Sequence, residues 1–104
     1  MPLRNNITGT PDLTSTILSP GDKVSNITSI TITNTHATDA AIVDLFIDNN
    51  TEGSFYIIKN TLIPKGVSLV LTKNVKIDNS LTGFGMYITV ASSSSTLDVI
   101  IKNN

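Results

Sequence analysis

Asp48, Asn50, Glu52 and Gly53 stand at the spacing of positions 1, 3, 5 and 6 of an EF-hand calcium loop. The twelfth position must supply a bidentate carboxylate, and here it is Lys59, so the EF-hand reading fails. A weak calcium site on Asp48, Asn50 and Glu52 is what remains of it. An ordinary hairpin turn uses the same residue types, because Asn and Asp tolerate turn geometry. Asp44 and Asp48 are the nearest approach to the carboxylate pair of glycoside chemistry, which needs two acids across a cleft. Four residues apart on a strand they share one face, and a solvated outer face accounts for them. His36 is the single histidine and has no Cys or second His with which to complete a zinc set. No G-x-S-x-G elbow accompanies it, so no Ser-His-Asp arrangement has a signature, and His36 reads as a solvated loop residue. The absence of cysteine removes disulfides and thiolate chemistry. No glycine-rich phosphate loop is present. Sequons begin at Asn6, Asn26 and Asn49, as chance alone gives in a chain so rich in Asn and Thr. These residues assemble no nucleophile, base and orienter. The expectation is a protein that is not an enzyme and holds no metal or cofactor.

The elements that must position these residues are strands. Hydrophobicity alternates with period 2 nearly throughout. Residues 26–35 set Ile30 and Ile32 against Thr31 and Thr33; residues 40–48 put Ala41, Val43, Leu45 and Ile47 on one parity. Residues 84–91 alternate through Phe84, Met86, Ile88 and Val90. Residues 96–102 place Leu97, Val99 and Ile101 inward, with Asp98 and Lys102 outward. Strands at 54–59 and 67–72, and a short one at 74–77, fill the space between. Turn residues separate them at 34–39, 48–53, 63–66, 78–83 and 92–95. Regular short strands with turns between them predict an all-β fold, a small antiparallel β-sandwich of Ig-like or jelly-roll-like type. Residues 1–22 differ: Pro11 and Pro20 break the chain twice and leave 13–18 as an edge-strand candidate. They are read as an extended N-terminal arm, and residues 23–104 as the sandwich domain.

A length of 104 residues is one domain's worth and suffices for one core without staples. The net charge is −1 and the pI near 5.5. The few basic residues are scattered, whereas nucleic-acid binding needs a basic stripe to neutralise phosphates. Charged residues are 14% of the chain, against a typical ~25%, so Thr, Ser and Asn must supply the polar surface. The N-terminus lacks the apolar core of a secretory signal, and no apolar run approaches the ~20 residues of a membrane span. Neither nucleic acid nor membrane is an expected partner.

Several strands are apolar on both parities. Ile42 and Phe46 oppose Val43 and Leu45; Tyr56 and Ile58 oppose Phe55 and Ile57; Val70 opposes Leu69 and Leu71; Ile100 opposes Val99 and Ile101. A sandwich buries one face of each strand. Scattered surface apolars are ordinary, but a contiguous set marks a surface covered by another chain. Ile42, Phe46, Tyr56, Ile58 and Ile100 are the candidate protein-interface residues on this reading, which also predicts a homo-oligomer.

The stretches 56–60 (YIIKN), 62–66 (LIPKG) and 68–71 (SLVL), the ending 95–102 (STLDVIIK) and the ITITN of 30–34 resemble small β-sandwich virion proteins of tailed bacteriophages, including marine and cyanobacterial ones. The resemblance covers about residues 26–102. It implies a capsid decoration (cement) protein in the virion, assembled in the host cytoplasm. Its partners would be other virion proteins: the major capsid protein, or tail and neck proteins. A neck, tail or fibre component, or a carbohydrate-binding module at a fibre tip, is the alternative. On that alternative a sugar site would lie among the loops at 48–53, His36 and 92–95, although the chain has no tryptophan to serve as a stacking platform.

Overall fold

A computed structural model describes residues 2–9, 13–24, 26–72, 74–90 and 95–103. Nine strands follow one another: β1 (Pro2–Gly9), β2 (Leu13–Leu18), β3 (Asn26–Asn34), β4 (Ala41–Asn49), β5 (Gly53–Ile63), β6 (Ser68–Leu71), β7 (Val75–Lys76), β8 (Gly85–Val90) and β9 (Ser95–Asn103). One sheet has the order β1-β9-β3-β6, with the short β7 beside β3, and the other the order β2-β8-β4-β5. Every pairing is antiparallel. Leaving β7 aside, the first strand pairs with the last, the second with the last but one, and so inward to the β4–β5 hairpin. That is one long hairpin rolled over on itself, the jelly-roll arrangement of a two-sheet sandwich. Within the segment 1–22, β1 edges the first sheet, and β2, at the expected 13–18, edges the second.

The core lies between the sheets, where the period-2 pattern puts it. Ile30 and Ile32 of β3 and Leu97, Val99 and Ile101 of β9 meet Val43 and Leu45 of β4 and Met86, Ile88 and Val90 of β8, all buried. Fully burying such a side chain contributes roughly 1.5–3 kcal/mol, so this interior dominates the stability. Two departures from alternation have a common cause. Ile17 and Leu18 are neighbours yet both buried, and the β2–β8 register shifts between Thr16 and Leu18. Ile27 and Ile30 differ in parity yet both are buried, and the β3–β9 register shifts between Ile27 and Ser29. An extra residue in one strand inverts which parity faces inward.

Buried asparagines lock the connections. Asn34 donates through Nδ2 to the carbonyls of Asp39 and Ile63, 2.9 Å each, and its Oδ1 accepts from the His36 N–H. Asn79 accepts from the Val24 N–H at 3.1 Å and donates to the carbonyls of Ser19 and Phe84. It thereby joins the β2–β3 connection to the β7–β8 connection. In both cases one amide satisfies backbone groups that the sheets leave unpaired.

Candidate functional site

The outer face of the β2-β8-β4-β5 sheet carries a row of aromatic rings. Phe46 of β4 lies opposite Tyr56 of β5 on one side and Tyr87 of β8 on the other. The ring centroids are 5.1 Å apart for Phe46–Tyr56 and 5.8 Å for Phe46–Tyr87. Such cross-strand pairs stabilise a sheet by roughly 0.2–1 kcal/mol each. The Lys59 Nζ sits 4.1 Å from the Tyr56 centroid, within cation–π range. Further along the same face Ile42 lies opposite Leu62. Ile42 is 38% exposed, Tyr56 48% and Leu62 59%, so the row and its extension form a largely apolar strip that the domain does not cover, crossed by Asp44, which stands between Ile42 and Phe46 on β4.

The five residues expected at an interface divide. Ile42, Phe46 and Tyr56 share this strip. Ile100 is exposed but belongs to β9, on the other sheet, in a row with Arg4, Thr31 and Val70. Ile58 lies opposite the buried Leu45 and packs against the core. The physical reason is in β5, whose register against β4 shifts twice, between Val43 and Leu45 and again between Leu45 and Phe46. Asn60 takes φ of 51° there, a left-handed conformation that Asn tolerates, and its N–H donates to Asp44 Oδ1 at 2.6 Å. Parity counted along β5 therefore loses its meaning. Leu62 and Tyr87, which parity did not single out, join the strip. Tyr87 on β8 was legible as an outward residue between Met86 and Ile88; only the sheet order brings it beside Phe46.

The residues that could do chemistry are spread apart. Asp44 and Asp48 sit on one face of β4, about 13 Å apart at the rise of a strand. That exceeds the roughly 6.5–9.5 Å of a carboxylate pair in glycoside hydrolysis. Each is tied locally, Asp44 by the Asn60 N–H and Asp48 Oδ1 by the Ser54 hydroxyl at 2.6 Å. The His36 Nδ1 accepts from the N–H groups of Thr38 and Asp39, at 3.1 and 3.0 Å, and so caps its own loop. Among the described residues no three His, Cys, Asp or Glu side chains gather as metal ligands. The 48–53 turn lies at the opposite end of β4 from His36, so the expected grouping of sugar-binding loops does not form; residues 92–94 lie outside the described residues.

At that far end of β4 the turn at 49–52 meets the turn at 80–84 and encloses a cavity of about 270 Å3. Asn49 is buried and holds the two turns together: its Nδ2 donates to the Thr82 carbonyl at 3.2 Å, and its Oδ1 accepts from the N–H groups of Thr51 and Glu52. The Asn49 sequon is thus closed to modification in the folded domain. Asp48, Asn50, Thr82 and Tyr87 line the cavity, with Pro20 and Leu81 at its apolar side. Tyr87 reaches it by leaning along β8 over Gly85. A Cβ at Gly85 would lie 2.5 Å from the Tyr87 Oη, so only glycine admits this rotamer. Nearby, the Ser80 hydroxyl and N–H hold the Asp78 carboxyl below its ordinary value of 3.8.

No family model matches the chain, and no curated protein matches it. Solved structures do share its architecture. PirA is similar over 98% of this chain and 94% of its own, at 14% identity and a TM-score of 0.55. The chain of the infectious bursal virus derived T=1 particles is similar over 98% of this chain, at 10% identity and a TM-score of 0.51. This domain spans about a third of that particle chain, 32% of its length. Both likenesses are of fold.

Proposed function

We propose that this protein is a non-enzymatic structural component of a virus particle, and specifically a bacteriophage capsid decoration (cement) protein that binds the head lattice as a homo-oligomer. The observation that carries the reading is the exposed strip of Ile42, Leu62, Phe46 and Tyr56 on one sheet face. A patch of aliphatic and aromatic side chains, here with Asp44 and Lys59 as its charges, is rich in the rings that interface cores favour, and it costs solubility unless another chain covers it. The fold is one that viral particle proteins use, as the T=1 particle chain illustrates. A second contact is available at β1, the edge strand of its sheet, where a neighbouring chain can add a strand.

Tyr56→Asp tests the reading. Tyr56 is half exposed, whereas Phe46 lies between two rings and contributes to the sheet itself. Light scattering behind a sizing column gives the mass of the free protein, and sedimentation with heads of the encoding phage gives binding. The expected result is a closed oligomer or saturable head binding that Tyr56→Asp weakens by about 2 kcal/mol or more, the scale of an interface anchor, while the fold loses no more than the roughly 1 kcal/mol of the cross-strand ring pair and stays cooperative. A wild-type protein that neither self-associates nor binds heads overturns the proposal.

A further inference from the structure

The cavity at the far end of β4 has a chemistry of its own and shares with the aromatic strip only Tyr87, whose ring lies beside Phe46 and which also lines the cavity. It is preorganised, because the Asn49 amide fastens one wall to the other. Its polar groups are of mixed kind. Asp48 accepts, with Oδ1 engaged by Ser54 and its second oxygen available. The Asn50 amide and the hydroxyls of Thr82 and Tyr87 both donate and accept. Leu81, 81% exposed, stands with Pro20 as an apolar border, and the Tyr87 ring is held in place by the room that Gly85 leaves.

Each alternative ligand class lacks a necessary group. No Lys, Arg or His lines the cavity, and Asp48 would repel an anion. One carboxylate does not make a divalent-cation site, which collects several charged oxygens. A lipid or other wholly apolar ligand would leave Asp48 and its polar neighbours unsatisfied. An organic cation would use the acceptors and the ring but leave the hydroxyl and amide donors idle. A neutral polyol ring meets all of them, since its hydroxyls donate to Asp48, exchange hydrogen bonds with Asn50, Thr82 and Tyr87, and leave a C–H face for Leu81. The volume falls just below the roughly 300 Å3 at which ligand pockets begin, which suits one ring.

We infer that the cavity between the 49–52 and 80–84 turns binds a single neutral hexose unit, with Asp48 and Tyr87 as its principal polar contacts and Leu81 against its C–H face. Amide NMR titration of the whole chain tests this, with D-glucose, D-galactose, D-mannose and N-acetyl-D-glucosamine added separately. At least one of the four is expected to shift the Asn50, Thr51 and Thr82 amides saturably, with millimolar affinity. Asp48→Asn is expected to weaken that binding about tenfold, the scale of one charge-assisted hydrogen bond. Leu81→Ala touches a side chain almost wholly in solvent, so it leaves the fold alone and is expected to weaken binding several-fold. Three results overturn the inference: no hexose moves these amides; the shifts persist unweakened in both variants; or tetramethylammonium moves them and the sugars do not, which makes the cavity a cation site. None of these bears on the oligomer and head-binding measurements.

Discussion

Asn79 ties two connections together with a single side chain. Its amide holds Val24, Ser19 and Phe84, and its own carbonyl accepts from Gly21 and Lys23. Asn79→Ala removes the partner of three backbone groups, of which the Val24 N–H is buried and the Ser19 and Phe84 carbonyls are partly so. The expected loss is about 2–4 kcal/mol, read as a lower urea midpoint at unchanged slope. Asp78 beside it supplies a pH-dependent contribution. The Ser80 hydroxyl and N–H lower its pKa in the folded state, so its stabilisation is complete above the unfolded value and is lost as pH falls through the lowered folded one. Ser80→Ala is expected to raise the Asp78 midpoint toward 3.8, followed by NMR of the carboxyl carbon, and to lessen the loss of stability in acid. In the sequence these residues were legible only as turn formers. Asn34, Asn49 and Asn79 look like every other Asn in a chain full of them. What distinguishes them is the second loop that each one meets, and loops distant in sequence leave no local signal of that meeting.

At the scale of the element, β5 is where the pattern of the chain misleads. Its run of Phe55, Tyr56, Ile57 and Ile58 invites a simple division into two faces. Two register shifts against β4 instead set Ile58 opposite the buried Leu45, although Tyr56 of the same parity faces outward beside Phe46. The shift near Asn60 depends on a left-handed backbone, which costs an L-residue roughly 1–2 kcal/mol and a β-branched one more. Asn60→Val is therefore expected to destabilise the domain by about 1–2 kcal/mol, and Asn60→Gly by a few tenths at most. Denaturant titration of the pair separates backbone strain from loss of the side chain. β4, β8, β9 and β3 from Ile30 onward were legible down to the inward residue because they carry clean alternation there, whereas the shift at Ile27 hid that residue's burial. A bulge has no such mark: an Asn at position 60 is compatible with a strand, a turn or the bulge it forms.

For the whole molecule, period-2 strands and the absence of helical patterning were enough for an all-β fold of short antiparallel strands; a sandwich and a small barrel share that pattern, and the two separate sheets decide between them. The order of strands was not legible, because hydrogen-bonded edges look alike until their partners are known. The observed order makes nearly every strong pairing non-local: Pro2 pairs with Lys102, and β2 with β8. Loop closure must precede such contacts, so refolding is expected in the millisecond-to-second range typical of all-β domains, measured by stopped-flow tyrosine fluorescence. A microsecond phase carrying the full amplitude would contradict the nested topology. The same nesting has a consequence for how the domain can be attached to anything. Pro2 and Lys102 lie side by side, at the end of the sandwich where β3 begins at Asn26 and where the Asp48 cavity opens. A cargo, anchor or neighbouring domain joined at either of these strand ends leaves from that pole, on the sheet opposite the one that carries Asp48 and Tyr87. The opposite pole, with His36 and the 64–67 turn, stays clear for insertion, and a permuted chain opened there would carry its new ends as far from the cavity as the fold allows.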